Sequence, residues 1–202
     1  MKHLKTSLPQ LLPYLLIVVG VIGLIAAFVI TDEKIKLLQD PSYHPACSIN
    51  PIISCGSVMQ SKQSHVFGFP NSFIGLAAFP MVLTVGVAML AGATFKRWFW
   101  LVFNAGFFLG LVFVHWLFFE SVYRIHALCP YCMGVWAVTI TGFWYLTLYN
   151  LQAGALPTPK KLAGLARFVR RHHGDILVAW LLIIVVAILH HFWYYFGRSF
   201  GA

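Results

Sequence analysis

Four cysteines are the residues of this chain whose type and spacing can do chemistry. Cys47 and Cys55 have seven residues between them, and Cys129 and Cys132 form Cys-Pro-Tyr-Cys. A Cys-x-x-Cys pair at a helix N-terminus has a mechanism: the helix dipole and the free N–H groups stabilise a thiolate and make the first thiol reactive. Two intervening residues let the pair close a disulfide without rearranging the backbone. Cys132 is the deeper of the two, and nearer lipid desolvation works against its thiolate. An adjacent electron acceptor that binds that thiolate resolves the conflict. A quinone is the natural candidate, because it lives in the bilayer and takes two electrons at once. Cys47 and Cys55 then have a role as a shuttle, exchanging with an outside protein and with Cys129 by thiol–disulfide exchange. Two bland readings use the same cysteines: static structural disulfides, or a four-cysteine zinc site in which one pair has suitable spacing and the other is wide.

These cysteines are embedded in a chain that is 60% hydrophobic and 9% charged, against roughly 25% charged in an ordinary soluble domain. Most of its surface must face something other than water. Five apolar runs are long enough to cross a bilayer as helices: Leu11–Ile30, Asn71–Ala93, Trp98–Phe119, Leu128–Leu151 and Ile176–Phe196. The runs are continuous rather than alternating, which excludes barrel strands. The expected fold is therefore an all-α integral membrane protein.

The net charge of +9 reports topology rather than nucleic-acid binding. Lys2 and Lys5, Lys96 and Arg97, and Lys160, Lys161, Arg167, Arg170 and Arg171 fall on one side if the helices alternate. The positive-inside rule puts that side, with the N-terminus, in the cytoplasm. The expected location is a bacterial inner membrane, with all four cysteines on the oxidising, extracytoplasmic side where disulfides persist. The first run is expected to stay as an anchor, being longer than a signal-peptide core and lacking a clear cleavage site before Asp32. Three parts follow: a catalytic unit over 1–151 with its cysteine loop at 31–70, a basic connector over 152–175 carrying Pro157 and Pro159, and a fifth helix with its tail over 176–202. Within the loop, Asp32–Gln39 reads as a short amphipathic helix on the membrane surface.

Few ionisable groups lie within the runs, which argues against a proton pump or an ion-coupled transporter. His115 is the exception; it is either a functional group or a histidine satisfied by a neighbouring carbonyl. His65 and His126 lie on the cysteine side, where a histidine can tune a thiol. His190, His191 and the aromatic residues 192–196 read as interface anchors.

The cysteine pattern, with Cys55-Gly-Ser-Val58-Met-Gln-Ser61, Phe67-Gly-Phe-Pro-Asn71-Ser-Phe-Ile-Gly75 and Cys129-Pro-Tyr-Cys132, resembles the vitamin K epoxide reductase family in its bacterial form. The resemblance covers roughly residues 11–151. It rests on order, the loop pair first and the Cys-x-x-Cys last; an unrelated group of bacterial quinone-linked oxidases carries its Cys-x-x-Cys in the first outer loop. It implies a four-helix bundle around a quinone, ubiquinone or menaquinone, with a fifth, peripheral transmembrane helix. It also implies residue roles. Cys132 meets the quinone, Cys129 is its disulfide partner and the target of Cys55, and Cys47 exchanges with the outside protein. Asn71 matches a position that hydrogen-bonds a quinone oxygen, and an amide donates without being ionised. Ser61 matches a small hydroxyl position near the loop pair. Trp136 stands where epoxide-reducing relatives carry a tyrosine hydroxyl, which points to stacking or packing and away from epoxide reduction. Many bacterial members continue into a thioredoxin-like domain; with only Gly197–Ala202 after the last run, the expected partner is a separate thioredoxin-fold (DsbA-like) extracytoplasmic protein.

The function expected from these residues is a quinone-dependent protein-disulfide oxidoreductase that supports disulfide formation. No resident metal is expected. The alternatives are a vitamin K quinone or epoxide reductase running in the reductive direction, or a non-enzymatic membrane protein with structural disulfides or a metal site.

Overall fold

A computed structural model describes residues 2–40, 42–156 and 163–195, with the side chains of 2–7 and 163 left aside. Lys2 and Lys5 therefore enter only as backbone. Pro41, the connector residues Pro157, Pro159, Lys160 and Lys161, and the end of the chain from Phe196, including Arg198, lie outside the described residues. Seven α-helices follow in order: α1 Lys2–Gln39, α2 Cys55–Gln60, α3 Ser72–Leu90, α4 Arg97–Phe119, α5 Pro130–Gln152, α6 Ala163–Arg171 and α7 His173–His191. Five of them, α1, α3, α4, α5 and α7, are long and apolar enough to span a membrane, so the expectation of an all-α, multi-pass membrane protein holds. Among the described residues the one β feature is an isolated parallel bridge between Ile53 and Leu128.

α1 is the spine. Its 38 residues extend about 57 Å, almost twice the hydrocarbon thickness of about 30 Å, so its outer turns stand clear of lipid. This corrects the separate surface helix expected over Asp32–Gln39. Nothing between Ile30 and Asp32 breaks a helix, and extending one already formed adds a hydrogen bond per residue without a new nucleus. The i,i+4 pair of Asp32 with Lys36, at 2.6 Å, supports the extension. α6 is an addition, a short helix within the stretch that reads from the sequence as a basic connector.

α1 packs along both α3 and α5, and α5 carries α4 on its other flank. Close approach of α1 to α3 depends on glycine. A Cβ on Gly20 would lie 2.8 Å from the backbone of Leu83, and one on Gly86 would lie 2.8 Å from the Pro13 carbonyl oxygen. Small residues at such crossings let membrane helices gain dispersion contacts where no hydrophobic effect drives them together. The resulting core joins Leu12, Leu16 and Val19 of α1 to Phe79 and Val82 of α3, Trp100 and Phe107 of α4, and Leu146 of α5. Polar side chains add cross-links: Thr31 donates to Ser72 at 2.8 Å, and Asn104 donates to Thr147 at 2.9 Å. By contrast α3 and α4 pack less closely, and Phe67, in the loop before α3, lies against Phe113 of α4 at 5.8 Å.

α7 lies against α4 and α5 through Leu177, Leu111 and Ile140. His115 belongs to this seam. Its Nδ1 faces the Leu111 carbonyl at 2.9 Å and its Nε2 accepts the Trp180 indole N–H at 3.1 Å. Both ring nitrogens are thus satisfied with the proton on Nδ1, and His115 fastens α7 to α4.

The Gly20 contact yields a direct expectation. Gly20→Val should destabilise the protein by about 1–3 kcal/mol, the usual range for overpacking, because the obstructing atoms are backbone and cannot swing away. Gly106→Ala, where an added Cβ meets nothing within 4 Å, is the control. Thermal unfolding in detergent should show a lowered midpoint for the first variant and little change for the second.

Candidate redox site

The two cysteine pairs are brought together by backbone, not by side chains alone. Ser54 N–H donates to the Leu128 carbonyl at 2.9 Å, and Leu128 N–H donates to the Ile52 carbonyl at 2.7 Å. This short parallel zipper aligns the residues just before Cys55 with the residue just before Cys129. Its two strands are each prepared locally. Upstream of Cys55, the Asn50 side chain accepts the N–H groups of Ile52 and Ile53 at 3.0 and 2.7 Å; this Asx turn reverses the chain around Pro51. Downstream of α4 the helix widens into a π turn over Glu120–Ile125, and His126 adopts a left-handed conformation at φ 55°. That residue ends the helix and turns the chain into Ala127–Leu128. Such widened turns recur at functional sites.

The sulfurs follow from this frame. Cys47 and Cys55 form a disulfide, while Cys129 and Cys132 are free thiols. The Cys129 thiol lies 3.2 Å from the Cys55 sulfur, and the sulfurs of Cys47, Cys55 and Cys129 all lie within 4.8 Å of one another. Three sulfurs this close can hold a metal only as thiolates. With two joined in a disulfide, the geometry here is that of an exchange relay. Cys55 is wholly buried, Cys129 is 1% exposed and Cys47 is 7% exposed, packed with Leu37 and Met59.

Cys129 sits just outside the span that begins at Pro130, at the N-cap of α5, with proline in the helix's first turn where its missing N–H costs least. Its thiol is pulled below the ordinary range chiefly by a hydrogen bond from the Cys132 thiol, opposed by burial and helped by the Cys132 and Tyr131 backbone N–H groups. This is the helix-terminus effect expected from the sequence, with Cys132 added as a donor. Cys132 itself is half-buried and touches both the cysteine cluster and a second cluster of Val114, Val122, Leu128 and Trp136. It is the point at which the outer sulfur group meets the apolar interior.

Of the other residues singled out from the sequence, Trp136 is buried one turn past Cys132 and packs edge-on to Phe118 at 5.6 Å. It forms a wall of that interior. Asn71 stands at the head of α3, where its Nδ2 donates to the Gln63 carbonyl at 2.7 Å and its Oδ1 accepts the Val66 N–H at 3.3 Å. It ties down the loop before α3, and its amide carries a second N–H for another acceptor. Ser61 donates to the Val58 carbonyl at 2.7 Å and closes the end of α2. His65 contacts only its neighbour Ser64, and His126 pairs with His191 at 3.0 Å; neither is bonded to a cysteine.

Several residues of this region carry no signal in the sequence. Glu33, buried on the outer extension of α1, accepts the Tyr43 hydroxyl at 3.1 Å and the Ala46 N–H at 3.3 Å. It anchors the chain immediately before Cys47. Glu120, also buried, accepts from Gln63 at 3.1 Å and pairs with Arg124 at 3.2 Å, which joins the π turn to the loop that leads into α3. Both were legible only as charges on the outer side.

Helices long and apolar enough to span a membrane thus hold a disulfide against a free Cys-x-x-Cys pair, an arrangement suited to thiol–disulfide exchange. The chain belongs to the vitamin K epoxide reductase family, whose model matches residues 14–147. Among curated proteins none matches it. Membership makes the protein a membrane redox enzyme of a family that is quinone-associated in general.

The relay geometry makes a trapping experiment decisive. In Cys132→Ala the Cys129 thiolate can attack Cys55 and release Cys47, and the return of Cys47 to Cys55 is then the way back. Alkylating the released Cys47 with iodoacetamide should therefore trap a Cys55–Cys129 disulfide, read by peptide mapping under non-reducing conditions. Removing the Cys132 thiol also removes the main cause holding the Cys129 thiol down. Its formation should thus lag that in Cys132→Ser, which keeps a hydroxyl donor, at neutral pH. The two should converge once pH exceeds the ordinary thiol range, about 8.5–9.

Proposed function

We propose that this protein oxidises the dithiol of a separate thioredoxin-fold protein outside the cytoplasm and passes the electrons to a membrane quinone, supporting disulfide formation. The observation that carries this reading is the 3.2 Å approach of the Cys129 thiol to Cys55 within the Cys47–Cys55 disulfide.

The steps balance on the chain's own sulfurs. A partner thiolate attacks Cys47 and releases Cys55, and the second partner thiol resolves the mixed disulfide, leaving the partner oxidised and the loop pair reduced. Cys55 then attacks Cys129 in a Cys129–Cys132 disulfide and releases the Cys132 thiolate. Cys47 returns to Cys55 and frees Cys129. The outcome is a bonded loop pair beside a free inner pair, the arrangement described above. Reoxidation of Cys129 and Cys132 then gives up two electrons and two protons. A bound quinone supplies the chemistry of a two-electron, two-proton acceptor.

The residues around Cys132 fit such a group. Cys132, partly buried, lies beside an apolar wall of Phe118, Val135 and Trp136, and an apolar site favours a ligand with few polar groups. The looser packing between α3 and α4 supports lateral entry from lipid. Asn71 at the head of α3 would hold a quinone oxygen with its second N–H. Trp136 supplies a ring and no hydroxyl, which supports thiol oxidation over epoxide reduction. On the partner side, Ile49 is 73% exposed two residues after Cys47 and is a docking residue for an apolar patch. Because Cys47 is buried, docking must lift the strap that Glu33 holds. The division into a catalytic unit over 1–151, a connector and a fifth helix is part of this reading.

The test is quinone reduction by purified protein supplied with a reduced thioredoxin-fold protein. Cys132→Ala should lose it by at least about a hundredfold, as expected for loss of an essential nucleophile. Cys47→Ala should keep reduction driven by a small dithiol while losing turnover with the protein partner. Full activity of both variants with the partner would overturn the scheme.

A further inference from the structure

A groove separate from the cysteine cluster runs along the N-terminal half of α1. It has a volume of 570 Å³ and is lined by α1 from Leu8 to Val19, by Ala137, Val138, Thr141 and Tyr145 of α5, and by His173 at the start of α7. Along α1 it runs about 16 Å, close to the thickness of one leaflet's hydrocarbon, about 15 Å. Its lining is mostly aliphatic, with polar groups gathered where α7 begins. There the Tyr145 hydroxyl meets His173 Nδ1 at 3.3 Å, and the Trp144 indole N–H holds the His173 carbonyl at 2.9 Å. With the hydroxyl donating to Nδ1, His173 Nε2 carries the proton and is a donor.

Charge at that end is one-sided. Arg170 and Arg171 form the last turn of α6, immediately before His173. Arg170 spends only its Nε on the Ala166 carbonyl, at 3.2 Å, and Arg171 is exposed. Of the five acidic residues, Asp32, Glu33, Asp40 and Glu120 belong to the cysteine end, and the fifth, Asp175, is paired with His172 at 3.0 Å. No free carboxylate competes for these arginines among the described residues. Leu165 and Phe168, both more than half exposed on α6, make that helix amphipathic and suit it to the headgroup boundary.

We infer that this groove is a binding site for one anionic glycerophospholipid, with an acyl chain between α1 and α5 and its phosphate held by Arg170, Arg171 and His173. An aliphatic channel one leaflet deep accepts a lipid tail, and Arg170 and Arg171, in the turn of chain that leads into His173 at the groove's edge, would select an anionic headgroup. The inference stands independently of the direction in which the cysteines pass electrons.

The experiment is native mass spectrometry of the full chain in detergent, titrated with phosphatidylglycerol or phosphatidylcholine. Wild type should retain one phosphatidylglycerol in preference to phosphatidylcholine. Arg170→Gln with Arg171→Gln should weaken phosphatidylglycerol by about thirtyfold, from the usual contribution of two basic residues at a membrane surface, and leave phosphatidylcholine unchanged. Ala137→Trp should expel both lipids. Inorganic phosphate at equal concentration should not displace the lipid, because it has no tail to fill the groove. Equal retention of the two lipids by wild type, or an unchanged arginine variant, would overturn the headgroup assignment. Displacement by added ubiquinone, or by inorganic phosphate, would overturn the lipid as occupant.

Discussion

Two backbone hydrogen bonds between Ile52–Ser54 and Leu128 hold this structure's chemistry in place. A loop after α1 and a turn before α5 are far apart in sequence, and nothing in either segment alone brings their cysteines together. Pairing Ile53 with Leu128 does so, and it does so where the backbone groups are shielded by the buried Ile52 and Leu128 side chains. An unmade backbone hydrogen bond in such a place costs more than a made one contributes. The pairing is therefore strongly favoured once the helices have closed. The rest of the outer region is arranged around it: Glu33 fixes the chain before Cys47, the Asx turn at Asn50 reverses it, and the π turn with His126 delivers the other strand.

The bundle below can be seen as the support for that pairing. α1 touches α3 on one flank and α5 on the other, and it extends beyond the lipid to carry Glu33 and Leu37 into the sulfur cluster. Its glycine contacts with α3 set the distance at which the loop must bridge. α4 reaches the site through its π turn, where the buried Glu120 carboxylate gathers Gln63 and Arg124. An unpaired carboxylate buried there would be costly, so the loop leading to α3 and the end of α4 are coupled in position.

Much of this was legible in the sequence, and the boundary is instructive. Lipid imposes a length of apolar residues that few other environments require, so all five spans are visible from composition. Their ends were less so: α1 continues through Asp32, Glu33 and Lys34, because a helix leaving the membrane needs no signal to persist, only the absence of a breaker. The cysteine pairs were legible from spacing, as was the place of Cys129 at a helix start. The bridge at Ile53 and Leu128, the left-handed His126 and the anchoring carboxylates were not. Each is a tertiary event involving a residue type that is common in loops. His115 shows the reverse case. An intramembrane histidine invites a functional reading, and only the Trp180 indole and the Leu111 carbonyl reveal that its two nitrogens are already occupied.

Under the proposed function, the burial of Cys55 and Cys129 has a consequence for fidelity. Small thiols, peroxides and stray protein disulfides all compete with an intended partner, and reduction potential alone does not discriminate among them. Cys55 and Cys129 are closed to the surroundings, and on the proposed reading Cys47 would be reached only by a partner that moves the chain Glu33 holds at Ala46. Selection is exercised by access, so a mismatched oxidant of suitable potential is refused on shape. The chain is insulated in the sense that a wire is, with one terminal that opens to a fitted plug.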